Sequence, residues 1–147
     1  MRIIVDADAC PRAIKDILFR AAQKASIEMV MVANTHIRTP PSTLFSSVSV
    51  TSGYNDADDK IVEIVCEGDL VITADIPLAS RVIEKGAVAL DPRGQLYTEE
   101  NVGSRLSVRD FMEELRDCGV NTGGPPPLGP RNRQDFANEL QKILLRK

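Results

Sequence analysis

Five aspartates occupy positions where carboxylates could work together: Asp6, Asp8, Asp58, Asp59 and Asp75. Two of them directly follow short apolar runs, Asp6 after Arg2-Ile-Ile-Val5 and Asp75 after Leu70-Val-Ile-Thr-Ala74. In an open parallel α/β sheet, ligands gather outside the carboxyl ends of the strands, so both positions point to a site. Asp6 and Asp8 share a face if the chain stays extended through Ala7. Capping is the simpler account of each residue alone: Asp8 for a helix opening at Pro11, Asp75 for one opening at Ile76-Pro77. It is less comfortable for two strand ends with the same feature.

Asp58 carries more information. The segment from Asp56 to Cys66 reads as a helix whose buried stripe is Ile61, Val62, Ile64 and Val65. At about 100° per residue, Asp58 falls inside that stripe, Asp59 on its flank, and Asp56 points away. Acids are favoured in the first turn by the helix dipole, which explains Asp56 and Asp59 well. It explains Asp58 less well, because a carboxylate on the core-facing side needs a partner.

Asp6, Asp58 and Asp75 would make an all-oxygen site, with Asp8 and Asp59 close behind. Hard divalent ions, Mg²⁺ or Mn²⁺, prefer such a site. Packed carboxylates repel, so without a cation some of them should protonate. A bound ion would activate a water and neutralise charge on a phosphoryl group. Arg38, after the second strand, and Arg93, in the turn after the fifth, are the candidates for holding phosphates. Asn34 and Thr73 complete the substrate-binding set. For either arginine alone, a turn partner such as Asp91 or a carbonyl serves equally well, and Arg131 and Arg133 read as solvated. The lone His36 has no evident Cys or Ser partner for a catalytic dyad. Neither GxxxxGK[ST] nor GxGxxG occurs.

The elements that must position these residues alternate. Strands are expected at Arg2–Val5, Ile27–Ala33, Val48–Thr51 (weak), Leu70–Ala74 and Ala87–Leu90. Helices are expected from Pro11 to Ala25, Asp56 to Cys66, Ile76 to a stop at Gly86, and Ser107 to Cys118. Asn34–Ser47 reads as a loop or broken helix, and Asp91–Gly94 as a turn. Alternation of this kind means a mostly parallel sheet in an α/β fold. Residues 1–122 read as the α/β domain, 123–130 as a stiff Gly/Pro linker. Residues 131–147 read as an amphipathic helix, carrying Phe136, Leu140, Ile143 and Leu144, packed on the same domain or on a partner.

At 147 residues the chain suffices for one domain with a real core. A net charge of −3 argues against a generic nucleic-acid-coating protein but not against an enzyme that touches RNA locally. Cys10, Cys66 and Cys118 lack metal-ligand spacing and read as free thiols in a reducing compartment, Cys66 as a core residue. No apolar stretch approaches the roughly 20 residues of a membrane span and no leader pattern opens the chain, so the cytoplasm is expected.

Several segments together resemble the YaiI/YqxD family, an uncharacterised bacterial family allied to the PIN-like nucleases. They are Asp6-Ala-Asp8-Ala-Cys10-Pro11, Ala57-Asp58 followed by Ile61-Val62, Gly68-Asp69-Leu-Val-Ile-Thr-Ala-Asp75-Ile-Pro-Leu-Ala79, Pro92-Arg93-Gly94, and the late Gly-Pro-Pro-Pro followed by Arg133 and Phe136. The resemblance implies a PIN-like three-layer α/β/α fold and a Mg²⁺ or Mn²⁺ site at Asp6, Asp58 and Asp75. One departure is Asn55, where the family pattern tends to carry an acid. The function expected first is a metal-dependent nuclease acting on RNA or another phosphate-containing substrate. The alternatives are a non-catalytic nucleic-acid or protein binding module with a vestigial metal site, and a haloacid-dehalogenase-like phosphatase. In the phosphatase Asp6 would be the nucleophile and Asp69 to Asp75 would loosely mimic the distal acids.

Overall fold

The computed structural model describes residues 1–34, 39–50, 56–103 and 129–145. Every residue of strands β1 (Ile3–Asp6), β2 (Met29–Ala33) and β4 (Leu70–Ile72) is buried, as continuous apolar runs covered on both faces require. With β3 (Phe45–Ser49), β5 (Val88–Leu90) and β6 (Leu96–Tyr97) they form one sheet in the order β3-β2-β1-β4-β5-β6. All neighbours run parallel except β6, which returns antiparallel to β5. The helices bounded at both ends among the described residues are α1 (Arg12–Ala25), α2 (Asp56–Ile64), α3 (Ile76–Glu84) and α4 (Pro130–Leu145).

Strand alternation sorts these helices into two layers. Ile3, Val5, Met29, Met31, Leu70 and Ile72 face one way, onto Ile14, Leu18 and Ala22 of α1 and Phe136, Leu140 and Ile143 of α4. Ile4, Val30, Val32, Val71 and Ala89 face the other way, onto Ala57 and Ile61 of α2 and Leu78, Ala79 and Val82 of α3. The fold is therefore a three-layer α/β/α arrangement around a mostly parallel six-stranded sheet. The winding reverses in the middle. From β1 the chain crosses through α1 to β2 on one side, whereas from β4 it crosses through α3 to β5 on the other. The carboxyl ends of β1 and β4 thus flank the topological switch point, where open α/β sheets form their ligand crevice.

Several sequence expectations shift. The third strand lies at Phe45–Ser49 rather than Val48–Thr51, with Phe45 opposite Met29. Its three serines and edge position disguise the periodicity, and Asn34–Ser47 is correspondingly less loop than expected. β2 begins at Met29 rather than Ile27. The two-residue β6 is too short to leave a pattern. Helix α2 ends at Ile64, two residues early, so Cys66 turns outward and is exposed rather than core. Its buried line is Ala57, Ile61 and Val65, with Val62 and Ile64 only half-buried. The segment 107–118 and linker residues 123–128 lie outside the described residues. Among the described residues, no helix is long and apolar enough to cross a membrane.

The turn after β5 packs against α4 so closely that only glycine fits at position 94. Gly94 has φ +91°, and a Cβ there would stand 2.6 Å from the Asp135 carbonyl carbon and the Phe136 nitrogen. Gly94→Ala is expected to cost about 2–4 kcal/mol, from backbone strain plus a clash with main chain that cannot yield. Urea unfolding checks this; a loss within experimental error would mean that the turn and α4 separate freely.

Candidate functional site at the carboxyl ends of strands 1 and 4

Because Val5 pairs with Ile72, Asp6 stands beside Thr73 at the end of the two strands. Thr73, only 1% exposed, uses its hydroxyl twice. Its Oγ1 donates to Asp6 Oδ2 at 3.1 Å and accepts from the Asp75 backbone N–H at 2.9 Å. A single buried hydroxyl therefore sets both the Asp6 carboxylate and the backbone that presents Asp75. Thr73, a candidate for substrate contact, has its hydroxyl engaged in both of these bonds. Asp75 caps α3 as the capping account expects, its Oδ1 accepting from Leu78 N–H at 3.0 Å with Pro77 in the first turn. Capping and membership of the site are compatible, because a carboxylate has acceptor capacity to spare.

Asp58 reaches the same place from α2, as helical phase predicts. It is half-buried, and Asp75 and Asp6 are near enough for their charges to act on it. Burial first, and then the charges of Asp75 and Asp6, push the Asp58 carboxyl up to about 6, against a smaller opposite pull from Arg81. Burial also raises the Asp6 carboxyl. The Thr73 hydrogen bond counters this, while Asp75 and Asp8 add to it. Asp6, Asp8, Asp58 and Asp75 thus form one electrostatic neighbourhood.

The donors are all carboxylate oxygens, which suits a hard divalent cation in chemistry and charge. Among the described residues, no three acid, thiol or imidazole groups already stand as a metal's ligand set. A cation there would relieve the repulsion by Asp75 and Asp6 that adds to burial in raising the Asp58 carboxyl.

The remaining candidates divide. Asp8 does not cap α1, whose N-cap is Pro11 without any side-chain bond. Nor does the chain stay extended beyond Asp6, since Ala7–Ala9 bend into a 3-10 turn. That bend lets Asp8 Oδ2 accept from the backbone N–H of Asn34 at 2.8 Å, tying the ends of β1 and β2 together. The Asn34 residue itself is exposed. Asp59 turns outward to an ion pair with Arg81, Oδ1 to Nη1 2.9 Å, a partner that only helix–helix packing reveals.

Arg93 sits in the β5–β6 turn, its backbone N–H donating to Asp91 Oδ1 and its Nη1 reaching Asn132 of α4 at 3.4 Å. Asp91, buried, also accepts from the Tyr97 hydroxyl at 3.2 Å, so it braces the turn. Asp69 lies at the amino end of β4, accepting from Arg2 and Cys66 backbone N–H groups, at the opposite end of the strands from Asp6. It cannot act as a distal acid for a phosphatase centred on Asp6. Burial pushes the Cys10 thiol up to about 12, which makes it inert. Arg38, His36 and Asn55 lie outside the described residues, and the side chain of Asp56 is not described.

A pH dependence follows from the two raised acids. A carboxyl whose folded pKa is raised contributes stability that is fully present below the unfolded value, and this is lost as pH rises through the folded one. The metal-free chain is therefore expected to unfold at higher temperature at pH 5 than at pH 7.5, the window closing just above about 6 for Asp58. Replacing Asp6 and Asp58 together by asparagine should flatten the difference. Calorimetric scans of both proteins check this, and an unchanged pH difference in the double variant would contradict it.

The chain matches the model of a family described as uncharacterized, the YaiI/YqxD family, over residues 4–146. It is 59% identical over 147 residues to a UPF0178 protein of Halorhodospira halophila, covering 100% of this chain and 97% of that protein. It is 56% identical over 146 residues to a UPF0178 protein of Hydrogenovibrio crunogenus, covering 99% and 97%. A UPF0178 protein of Shewanella amazonensis is 57% identical over 146 residues, covering 99% and 98%. With a family model spanning nearly its whole length and relatives matched end to end, the chain belongs to the YaiI/YqxD family.

Proposed function

We propose that this protein is a metal-dependent phosphodiesterase, with single-stranded RNA as its substrate class and Mg²⁺ or Mn²⁺ as its cation. The observation that carries the reading is convergence. Acids from β1, from the N-terminus of α3 and from α2 meet at the topological switch point, where the fold gathers ligands. The resemblance to PIN-like nucleases supplies the reaction class, by analogy.

In this reading Asp6, Asp58 and Asp75 hold the cation. Thr73 keeps Asp6 directed at it, and the Leu78 N–H fixes one oxygen of Asp75. Asp58, half-buried on α2, would offer the third carboxylate in its ionised form. Asp8, anchored by Asn34 N–H, stays near enough to orient a water. Once bound, such an ion supplies Lewis-acid charge at the phosphoryl oxygens and a water made acidic enough to attack near neutral pH.

The direct test is single-turnover cleavage of a labelled single-stranded RNA by purified protein in Mn²⁺ and in EDTA. Cleavage is expected with Mn²⁺ alone. Equal cleavage in EDTA would remove the metal from the account, and no cleavage of any phosphodiester in Mn²⁺ would remove the reaction.

A further inference from the structure

The four acids at the switch point repel the phosphates that the proposed reaction must bring to them. Arg81 is near enough to Asp58 for its positive charge to offset part of the rise that burial and the neighbouring acids produce there. Arg81 lies on α3, the helix that Asp75 caps, and on the same face of the sheet as Asp58. Its guanidinium lies against Asp59, the immediate neighbour of Asp58, at 2.9 Å. Arg93, by contrast, turns toward α4, which packs on the other face.

The Arg81–Asp59 pair is open to solvent, its side chains 45% and 64% exposed. An exposed pair of this kind contributes at most about 1 kcal/mol, so holding α2 to α3 is a weak reason for its presence. A guanidinium carries five N–H donors, and among the described residues Asp59 engages only the Nη1 of this one. The remaining edge suits two oxygens of one phosphate, the fork geometry at which arginine excels.

We infer that Arg81, held in place by Asp59, is the phosphate-binding residue of the acid cluster, gripping a backbone phosphate next to the one attacked. This rests on the reading of the cluster as a cation site for phosphodiesters. Asp59 keeps the guanidinium extended beside the acids before substrate arrives, and the phosphate takes the donors that Asp59 leaves unused. A single arginine placed this way gives affinity for the backbone without reading any base.

The test uses the full chain in Mn²⁺ and a fluorescent oligouridylate with phosphorothioate linkages, which keep the backbone charge and slow attack of water at phosphorus, followed by anisotropy across a range of KCl concentrations. Arg81→Gln is expected to raise Kd about ten-fold, the loss of a charge-assisted hydrogen bond to phosphate. Its slope of log affinity against log salt should fall by about 0.7, one phosphate contact on a single strand. Arg81→Lys should keep the slope and lose only part of the affinity. Mn²⁺ binding by calorimetry should be unchanged in both variants. If Arg81→Gln binds Mn²⁺ and retains the wild-type Kd and salt slope, the inference is overturned while the cation site stands; a lowered melting temperature alone would then mark Arg81 as a helix-to-helix tie. If the wild-type chain binds no Mn²⁺, the cation reading and the inference fall together.

Discussion

Asp6→Asn is expected to abolish Mn²⁺-dependent cleavage and to make the protein more stable. Asp6 is 6% exposed, has Thr73 as its hydrogen-bond donor, and has the acids Asp8 and Asp75 as its charged neighbours. Keeping such a group ionised at neutral pH opposes folding. The amide keeps an oxygen for the Thr73 hydroxyl, sheds the charge and leaves the packing unchanged. A gain of even 1 kcal/mol raises the melting temperature by about 2–4 °C for a domain of this size. The activity moves the other way. Changing a residue that merely supports a metal ligand costs about 10–100-fold, so losing the ligand at the centre of the site should cost at least about 100-fold. Loss of function with gain of stability marks a residue kept for chemistry. If the variant is instead destabilised and inactive, Asp6 is a structural hub; if it cleaves normally, the site lies elsewhere.

The second large effect concerns the C-terminal helix. Phe136 is fully buried and belongs to the same cluster as Ile3, Val5, Ile14 and Leu18. Phe136→Ala should cost about 3–5 kcal/mol, the loss of a buried ring plus the cavity it leaves. Against a total stability of about 5–15 kcal/mol, that would be a large share. The urea midpoint should fall with the m-value unchanged. A loss below about 1 kcal/mol would mean that the helix rests on the surface, since substitutions away from the core usually cost less than that. The variant also separates two roles of this end of the chain. The acids lie on β1, α2 and α3, so protein that remains folded should bind Mn²⁺ as the wild type does.

Much of this is legible in the sequence, for physical reasons that differ from residue to residue. Burial on both faces makes central parallel strands continuously apolar, so β1, β2 and β4 stood out, and their terminal aspartates with them. Asp58 was separable from Asp59 because helical phase carries information about facing, and the structure finds the first half-buried and the second exposed. Cys66 departs from the expected core position because that phase holds only while the helix lasts, and α2 stops at Ile64. The condition for Asp8 to share the Asp6 face, an extended chain through Ala7, is not met, because Ala7 begins a 3-10 turn. Other features depend on elements distant in the chain. The Thr73 bridge needs the register of β1 against β4, and the Arg81–Asp59 pair needs the packing of α3 on α2. The switch point needs the strand order itself. Alternating helices and strands establish the fold class and leave open which way each crossover turns.

The central claim is that Asp6, Asp58 and Asp75 hold one divalent cation. A crystal of the wild-type chain soaked in Mn²⁺ at a pH above 7 tests it most directly, through anomalous density at the manganese edge. The account predicts a single strong peak with carboxylate oxygens of all three residues at about 2.0–2.6 Å and the Thr73–Asp6 bond retained. The contradicting result is a saturating soak with no peak at the switch point.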